Sequence, residues 1–431
     1  MVIILHVGHV FLRPDSLLVT CVVLDVLLLS ILNSVLVPAE LRIPVLVVVL
    51  GASLTAVLSA RLHFRVAAAP FLGALTVGTV LSQFFGRGGD EMIQVAVMLA
   101  LGAVAACLAA SLSSADWLEV AQSVAFLGVV QVAIAIGAEV FDIGWVQITF
   151  AAADPTGAGR AAYGASPNLI LPGGWSRSSG TLGHPIPFAL FLLAGLCLAL
   201  RVQGIARREI RWATVSLLSA GLLLSGSRTT IFIALALAAI FAASVGRRLW
   251  RALALILAVP VGAVVVYGFG AFALQNARER SSFSLDFRLQ AWETFVNLFN
   301  RDLVEVLIGS GPSSAGELQE EGYVDLQGLQ SIDNQVVTTF ADLGLLGLSI
   351  FMVLLSVTIL RRNRPEWFAL AALWGMFLSF DVFGWHIFVF LFWFFVEMVL
   401  KGPTGPSAHD PAEAELVDGD VDSLSTGRAS R

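Results

Sequence analysis

Three arginines, a histidine and an Asp-Asn pair stand where an otherwise apolar chain has least use for them. Arg228 fills a very short gap between two apolar runs, in Leu223-Leu-Ser-Gly-Ser-Arg-Thr-Thr-Ile231. Arg177 begins Arg177-Ser-Ser-Gly-Thr-Leu-Gly-His-Pro185, which leads straight into another run. Arg288 follows Asp286 and precedes Trp292, while Asp333 and Asn334 head a later run. A guanidinium is a planar, permanently charged donor that matches phosphate oxygens. A flexible, backbone-exposing stretch entering a helix N-terminus offers the same anion its N–H groups and the positive dipole end. His184 titrates near working pH, and Asp333 is a carboxylate suited to accept a proton from a sugar hydroxyl. Together these types suit transfer chemistry on a phosphate-bearing substrate.

Each residue also has an ordinary reading. Gly226 suits a left-handed helix cap and Ser227 the N-cap of the next helix, which leaves Arg228 to snorkel toward headgroups. His184 serves equally as a cap, Arg177 as a solvated loop residue, and Asp333 as an N-cap. Gly309 and Gly311, in Leu307-Ile-Gly-Ser-Gly-Pro312, permit either a close approach to a ligand or a tight turn. Arg301 and Asp302 read as an exposed pair. Asp25, inside the first apolar run, is costly there and is expected to face other helices. Cys21, Cys107 and Cys197 lie singly in apolar runs, which predicts neither a disulfide framework nor a zinc site. There is no Gly-x4-Gly-Lys phosphate loop.

The elements that must position these residues are membrane helices. The chain is 57% hydrophobic and 13% charged, whereas soluble domains run at about 25% charged. About twelve runs reach or approach the roughly 20 residues a crossing needs: 17–37, 43–60, 66–85, 92–112, 117–138, 184–201, 211–226, 229–245, 250–273, 335–360, 366–380 and 382–400. Continuous runs of this kind exclude a barrel. The predicted fold class is therefore an all-α polytopic membrane protein of about twelve transmembrane helices with two larger extracytoplasmic loops.

Basic residues in short connections orient it. Arg61 and Arg65, then Arg201, Arg207, Arg208 and Arg211, then Arg247, Arg248 and Arg251, then Arg361, Arg362 and Arg364 all fall in even-numbered connections. That side is expected to be cytoplasmic, with both termini on it and no cleavable signal at the start. The predicted organisation is N-terminal helices over 1–138, a first large outer loop over 139–183 and central helices over 184–274. A second outer loop follows over 275–334, then C-terminal helices over 335–400 and a disordered acidic tail over 401–431. The second loop includes a predicted amphipathic helix over 287–299, with Trp292, Phe295, Val296 and Phe299 on one face.

The order of these segments carries more than any one of them. Arg-x2-Gly-x3-His-Pro, Ser-Arg-Thr at a span junction, Arg288 with Trp292, Gly-x-Gly, and Asp-Asn followed by Gly-Leu-Leu-Gly347 resemble the bacterial O-antigen ligase and O-antigen polymerase superfamily over residues 170–360. The resemblance implies about twelve spans, a large late outer loop, and residence in the inner membrane. It implies an undecaprenyl-diphosphate-linked oligosaccharide as donor, without metal, nucleotide sugar or other cofactor. Membrane lipids and chain-length regulators are the implied partners; nucleic acid is not among them. Family arginines that bind the donor diphosphate map onto Arg228 and Arg288, with Arg177 as a further ligand. Ligases typically carry histidine where this chain has Asp333, which favours the polymerase-like branch, with ligase-type transfer of finished glycan as the alternative.

The expected reaction is metal-independent glycosyl transfer on the outer face. Arg228 and Arg288 clamp the diphosphate, Asp333 (or His184) handles the acceptor proton, and Arg177, His184, Asn334, Gly309 and Gly311 line the substrate. A transporter or flippase of a lipid-linked anion is the rival class. It calls for ionisable groups along a path through the membrane, whereas this chain gathers its charges outside the spans.

Overall fold

The computed structural model describes residues 17–32, 39–59, 65–86, 92–141, 168, 170–171, 175–202, 208–244, 283–312, 314–324, 332 and 334–401. These are mostly helical, with no β-strand among them. In chain order the helices are α1 (Leu17–Leu32), α2 (Ala39–Ser59), α3 (Ala69–Phe85), α4 (Met92–Ser111) and α5 (Ser114–Val140). Then come α6 (Pro185–Arg201), α7 (Arg208–Ser225), α8 (Arg228–Ser244), α9 (Phe283–Asn297), α10 (Leu303–Ile308) and α11 (Ala315–Glu320). The last three are α12 (Gln335–Leu360), α13 (Trp367–Met376) and α14 (His386–Leu400). Helices occupy the apolar runs marked in the sequence except 250–273, which lies outside the described residues. Segments Leu41–Ser59, Ile93–Ser111, Ser114–Val140 and Gln335–Leu360 are long and apolar enough to cross a membrane, and shorter apolar helices accompany them.

Helices α6 and α14 are apolar all round, and a helix of that kind belongs in the middle of a bundle. Every residue of α6 from Pro185 to Ala199 is buried, and α14 is nearly as enclosed. Helix α14 packs along α4, while α6 packs against α5, α7 and α13. Small residues allow the close approaches. A Cβ on Gly102 would lie 2.5 Å from the Trp393 ring, and one on Gly221 would lie 2.4 Å from Val132.

One end of the bundle is tied by charge. Arg211 donates to the Ala199 and Leu200 carbonyls at the end of α6. Arg361 donates to Leu400 O at 2.7 Å, closing α14. Lys401 donates to Ala110 O at 2.6 Å and Leu112 O at 2.8 Å, closing α4. Glu397 accepts from the Ala67 and Ala68 amides at 3.1 and 2.7 Å and so caps α3 from a distant helix. These bonds satisfy backbone groups that helix ends leave open. Arg201 lies over the rings of Phe241 and Phe368 at this same end. Asp25, for which the sequence offers no partner, accepts from the Ser53 hydroxyl of α2. The opposite end carries the candidate residues.

Candidate functional site

The stretch before α6 is packed into the bundle. The Ser176 amide donates to Glu139 at 3.0 Å, Ser178 N to Leu224 O at 3.1 Å, and Thr181 N to Gln131 Oε1 at 2.8 Å. Gln131 returns a bond to Thr181 Oγ1 at 2.6 Å, and Thr181 in turn donates to Ser30 O at 3.3 Å. Gly180 takes φ +55 because a side chain there would meet Gln131 and Phe188. The stretch is therefore packed rather than flexible, with the Ser176, Ser178 and Thr181 amides committed to protein acceptors. Nor is Arg177 a solvated loop residue. Its Nε donates to Ser225 O at 3.3 Å.

That bond seats Arg177 on the turn that contains Arg228. Helix α7 ends at Ser225, Gly226 adopts φ +61 as the cap reading requires, and α8 begins at Arg228. A Cβ on Gly226 would lie 3.0 Å from Arg177 Cγ and 3.1 Å from Asn168 Oδ1. Asn168 donates to Leu223 O at 2.9 Å and Leu224 O at 3.0 Å, so the last carbonyls of α7 are fully engaged. Ser227 N donates to Ser225 Oγ at 3.1 Å, and the Ser227 and Thr230 hydroxyls bond at 2.8 Å. Arg228, partly exposed, is the first residue of α8. A helix N-terminus already carries about half a positive charge. Arg177 and Arg228 thus share one turn at this helix end.

His184 is the N-cap of α6, its Nδ1 accepting from Ile186 N at 3.2 Å. The Phe380 ring stacks on it and Trp385 lies alongside, both with centroids at 6.4 Å. One ring nitrogen is thus taken by the cap.

Asn334 caps α12, accepting from Val336 N at 3.0 Å and Val337 N at 3.2 Å, and donates to Leu378 O at 3.0 Å. Gln335 N donates to Phe380 O at 3.2 Å, and Gln335 Oε1 accepts from Phe383 N at 2.7 Å. The head of α12 is thereby fixed to the turn joining α13 and α14. That turn supplies the Phe380 and Trp385 that flank His184. Arg177, Arg228, His184 and Asn334 thus meet at one end of the bundle. Asp333 lies outside the described residues, and Arg288 is described only as a position on α9.

Gly309 and Gly311 answer to packing. Helix α12 breaks at Gly344, with φ 59 and ψ −156. The break releases carbonyls that a continuous helix would have used. Ser310 N donates to Ala341 O at 2.8 Å and Gly311 N to Asp342 O at 3.1 Å. A Cβ on Gly309, at φ +90, would sit 2.1 Å from Asp342 O. Arg301 completes the joint and corrects the exposed-pair reading, being only 5% exposed. It donates to Phe340 O and Ala341 O at 3.0 Å, Leu298 O at 2.9 Å and Ser310 Oγ at 2.6 Å. Asp302 is exposed. The face of α9 is corrected too: Ala291, Thr294 and Leu298 turn inward, while Trp292 and Val296 turn outward. Phe295 and Phe299 touch Phe340 across the joint at 5.0 and 4.7 Å.

Sequence reasoning missed Asn168, Gln131 and the role of Arg301. Only Arg301 left a signal, through the glycines at 309, 311 and 344 that its joint requires.

Residues 213–352 match the family model described as O-antigen ligase. That match supports the resemblance to the O-antigen ligase/polymerase superfamily. The matched segment takes in Arg228, Arg288, the Gly309–Gly344 joint, Asp333 and Asn334. Arg177 and His184 precede it and reach it through Ser225 and Phe380. The match favours ligase-type glycan transfer, the alternative reading of the sequence, over polymerisation. No curated protein matches the chain.

Proposed function

We propose that the protein transfers a glycan from a polyprenyl-diphosphate donor, undecaprenyl diphosphate in bacteria, to an acceptor hydroxyl, in the manner of an O-antigen ligase. The observation that supports this most is Arg177 seated on the turn that opens α8 with Arg228. Two arginines on one turn at a helix N-terminus suit a diphosphate, whose negative charge grows as it leaves. In the reaction the acceptor oxygen forms a bond to the anomeric carbon, and the bond from that carbon to the diphosphate breaks. The electron pair stays on the diphosphate, and the acceptor proton passes to a base. Arg228 and Arg177 stabilise the departing charge, with Arg288 as third ligand. Asp333, beside the capped Asn334, is the proposed base.

The sidedness follows the basic residues, placing the site on the outer face of the inner membrane with both termini in the cytoplasm. A polymerase reading stays alive through Asp333, because the resembling ligases carry histidine there. The test is purified protein in nanodiscs with a lipid-diphosphate oligosaccharide and a hydroxyl acceptor, with and without chelator. Losing a principal donor to developing charge costs about 100- to 1,000-fold in rate, so Arg228→Ala and Arg177→Ala should each fall into that range. Wild-type rates from either variant refute the clamp. A ladder of lengthened lipid-linked products assigns polymerisation, and movement of donor without bond formation assigns transport.

A further inference from the structure

Helices α9 and α10 each turn apolar residues outward, with exposed Asn300 and Asp302 in the chain between them. On α9, Trp292 and Val296 recur at helical spacing, with half-exposed Phe299 just past its end, and Val296 is 65% exposed. On α10, Leu303, Val304 and Leu307 face outward, with Leu303 72% exposed, while Glu305 and Val306 face inward. Polar Glu293, Asn297 and Asn300 are also exposed. An uncovered apolar surface of this extent has an occupant.

Its position names that occupant. Helix α10 packs on α3 and α12. The backbone of Ser310, just past α10, lies 2.5 Å from where a Cβ on Gly86 would be. Gly86 caps α3, an apolar helix whose last residues Phe84 and Phe85 are 81% and 65% exposed. Val77 and Val80 carry the same exposed flank down α3. The exposed apolar residues of α9–α10 therefore lie beside the exposed apolar flank of α3. An amphipathic helix with this division of faces lies in the plane of the interface.

We infer that α9 and α10 are seated on the membrane, their outward apolar residues in the boundary between headgroups and acyl chains beside the end of α3. The partner is the bilayer itself. The seat holds α9, and with it the Arg288 position, at the level where a lipid diphosphate lies. The inference stands independently of the transfer reaction, and its test reads depth rather than activity.

The test uses the full chain with Cys21, Cys107 and Cys197 replaced by alanine and one new cysteine at Val296, Leu303 or Asn297. Each variant is labelled with bimane and reconstituted into phosphatidylcholine vesicles with or without bromine on the upper acyl chain. Only monodisperse protein is used, and Phe84→Cys serves as a lipid-facing positive control. Val296→Cys and Leu303→Cys should lose most of their intensity in brominated bilayers and shift to the blue, while Asn297→Cys keeps its intensity. Equal quenching at Asn297 and Val296 would overturn the seat, as would no quenching at Val296 and Leu303. In the latter case, protection of the unlabelled cysteine from an impermeant thiol reagent would mark burial against a second copy.

Discussion

Removing the Arg301 guanidinium should loosen the joint between α10 and the broken α12 without disturbing the middle of the bundle. Arg301→Met keeps most of the apolar stem and deletes the donors. The Ala341 carbonyl still has Ser310 N at 2.8 Å. The Phe340 and Leu298 carbonyls lose the Arg301 donors at 3.0 and 2.9 Å. A buried acceptor left unsatisfied costs about 1–3 kcal/mol, so two place the local loss at roughly 3 kcal/mol. Because about 1.4 kcal/mol is a factor of ten, opening of this joint should become about 100-fold more frequent. Amide hydrogen exchange in nanodiscs reads it directly, since the Ser310 and Gly311 amides bond across the joint. Peptides covering 305–312 and 338–345 should exchange faster by that factor, while those from α6 stay at wild-type rates. Arg301→Lys, which keeps the charge without the fork, should fall between. Exchange of the joint peptides within about threefold of wild type in Arg301→Met would refute the assigned bonds. Acceleration in α6 as well would show the joint to be part of global stability.

Gly309→Ala forces a side chain against Asp342 O at φ +90, whereas Gly322→Ala meets a left-handed φ of +81 in open space. The second should cost about 1 kcal/mol and the first clearly more, checked by monodisperse yield and melting in detergent; equal losses would discount the clash. His184→Ala should cost about 1 kcal/mol through the lost cap at the Ile186 amide, and His184→Asn, which keeps a cap acceptor, clearly less, measured by melting in detergent; equal losses would remove the cap from the account.

Helix positions were legible because apolar runs of this length have few alternatives, and the Gly226 cap followed from local turn chemistry. Partners at long range were not. Asn300-Arg301-Asp302 reads as exposed polar sequence, and only the break at Gly344 gives Arg301 its carbonyls. Gln131 sits within an apolar run, and nothing local foretells Thr181 as its partner. The inward face of α9 was misjudged for another reason. Large apolar residues mark the core when water is outside, but beside lipid that contrast vanishes. The smaller Ala291 and Thr294 therefore face the protein while Trp292 and Val296 face away. Arg177 and Arg228 lie 51 residues apart, and only the fold brings them to a shared turn.

Glu397 and Lys401 bear on how the chain is made. The start of α3 and the end of α4 obtain their caps from α14, which leaves the ribosome roughly 300 residues after them. Until that last helix inserts, two early helices have open ends, and α4 lacks the partner along its length. Assembly thus finishes with a keystone. A chain cut before Glu397 leaves the Ala67 and Ala68 amides and the Ala110 and Leu112 carbonyls without these partners.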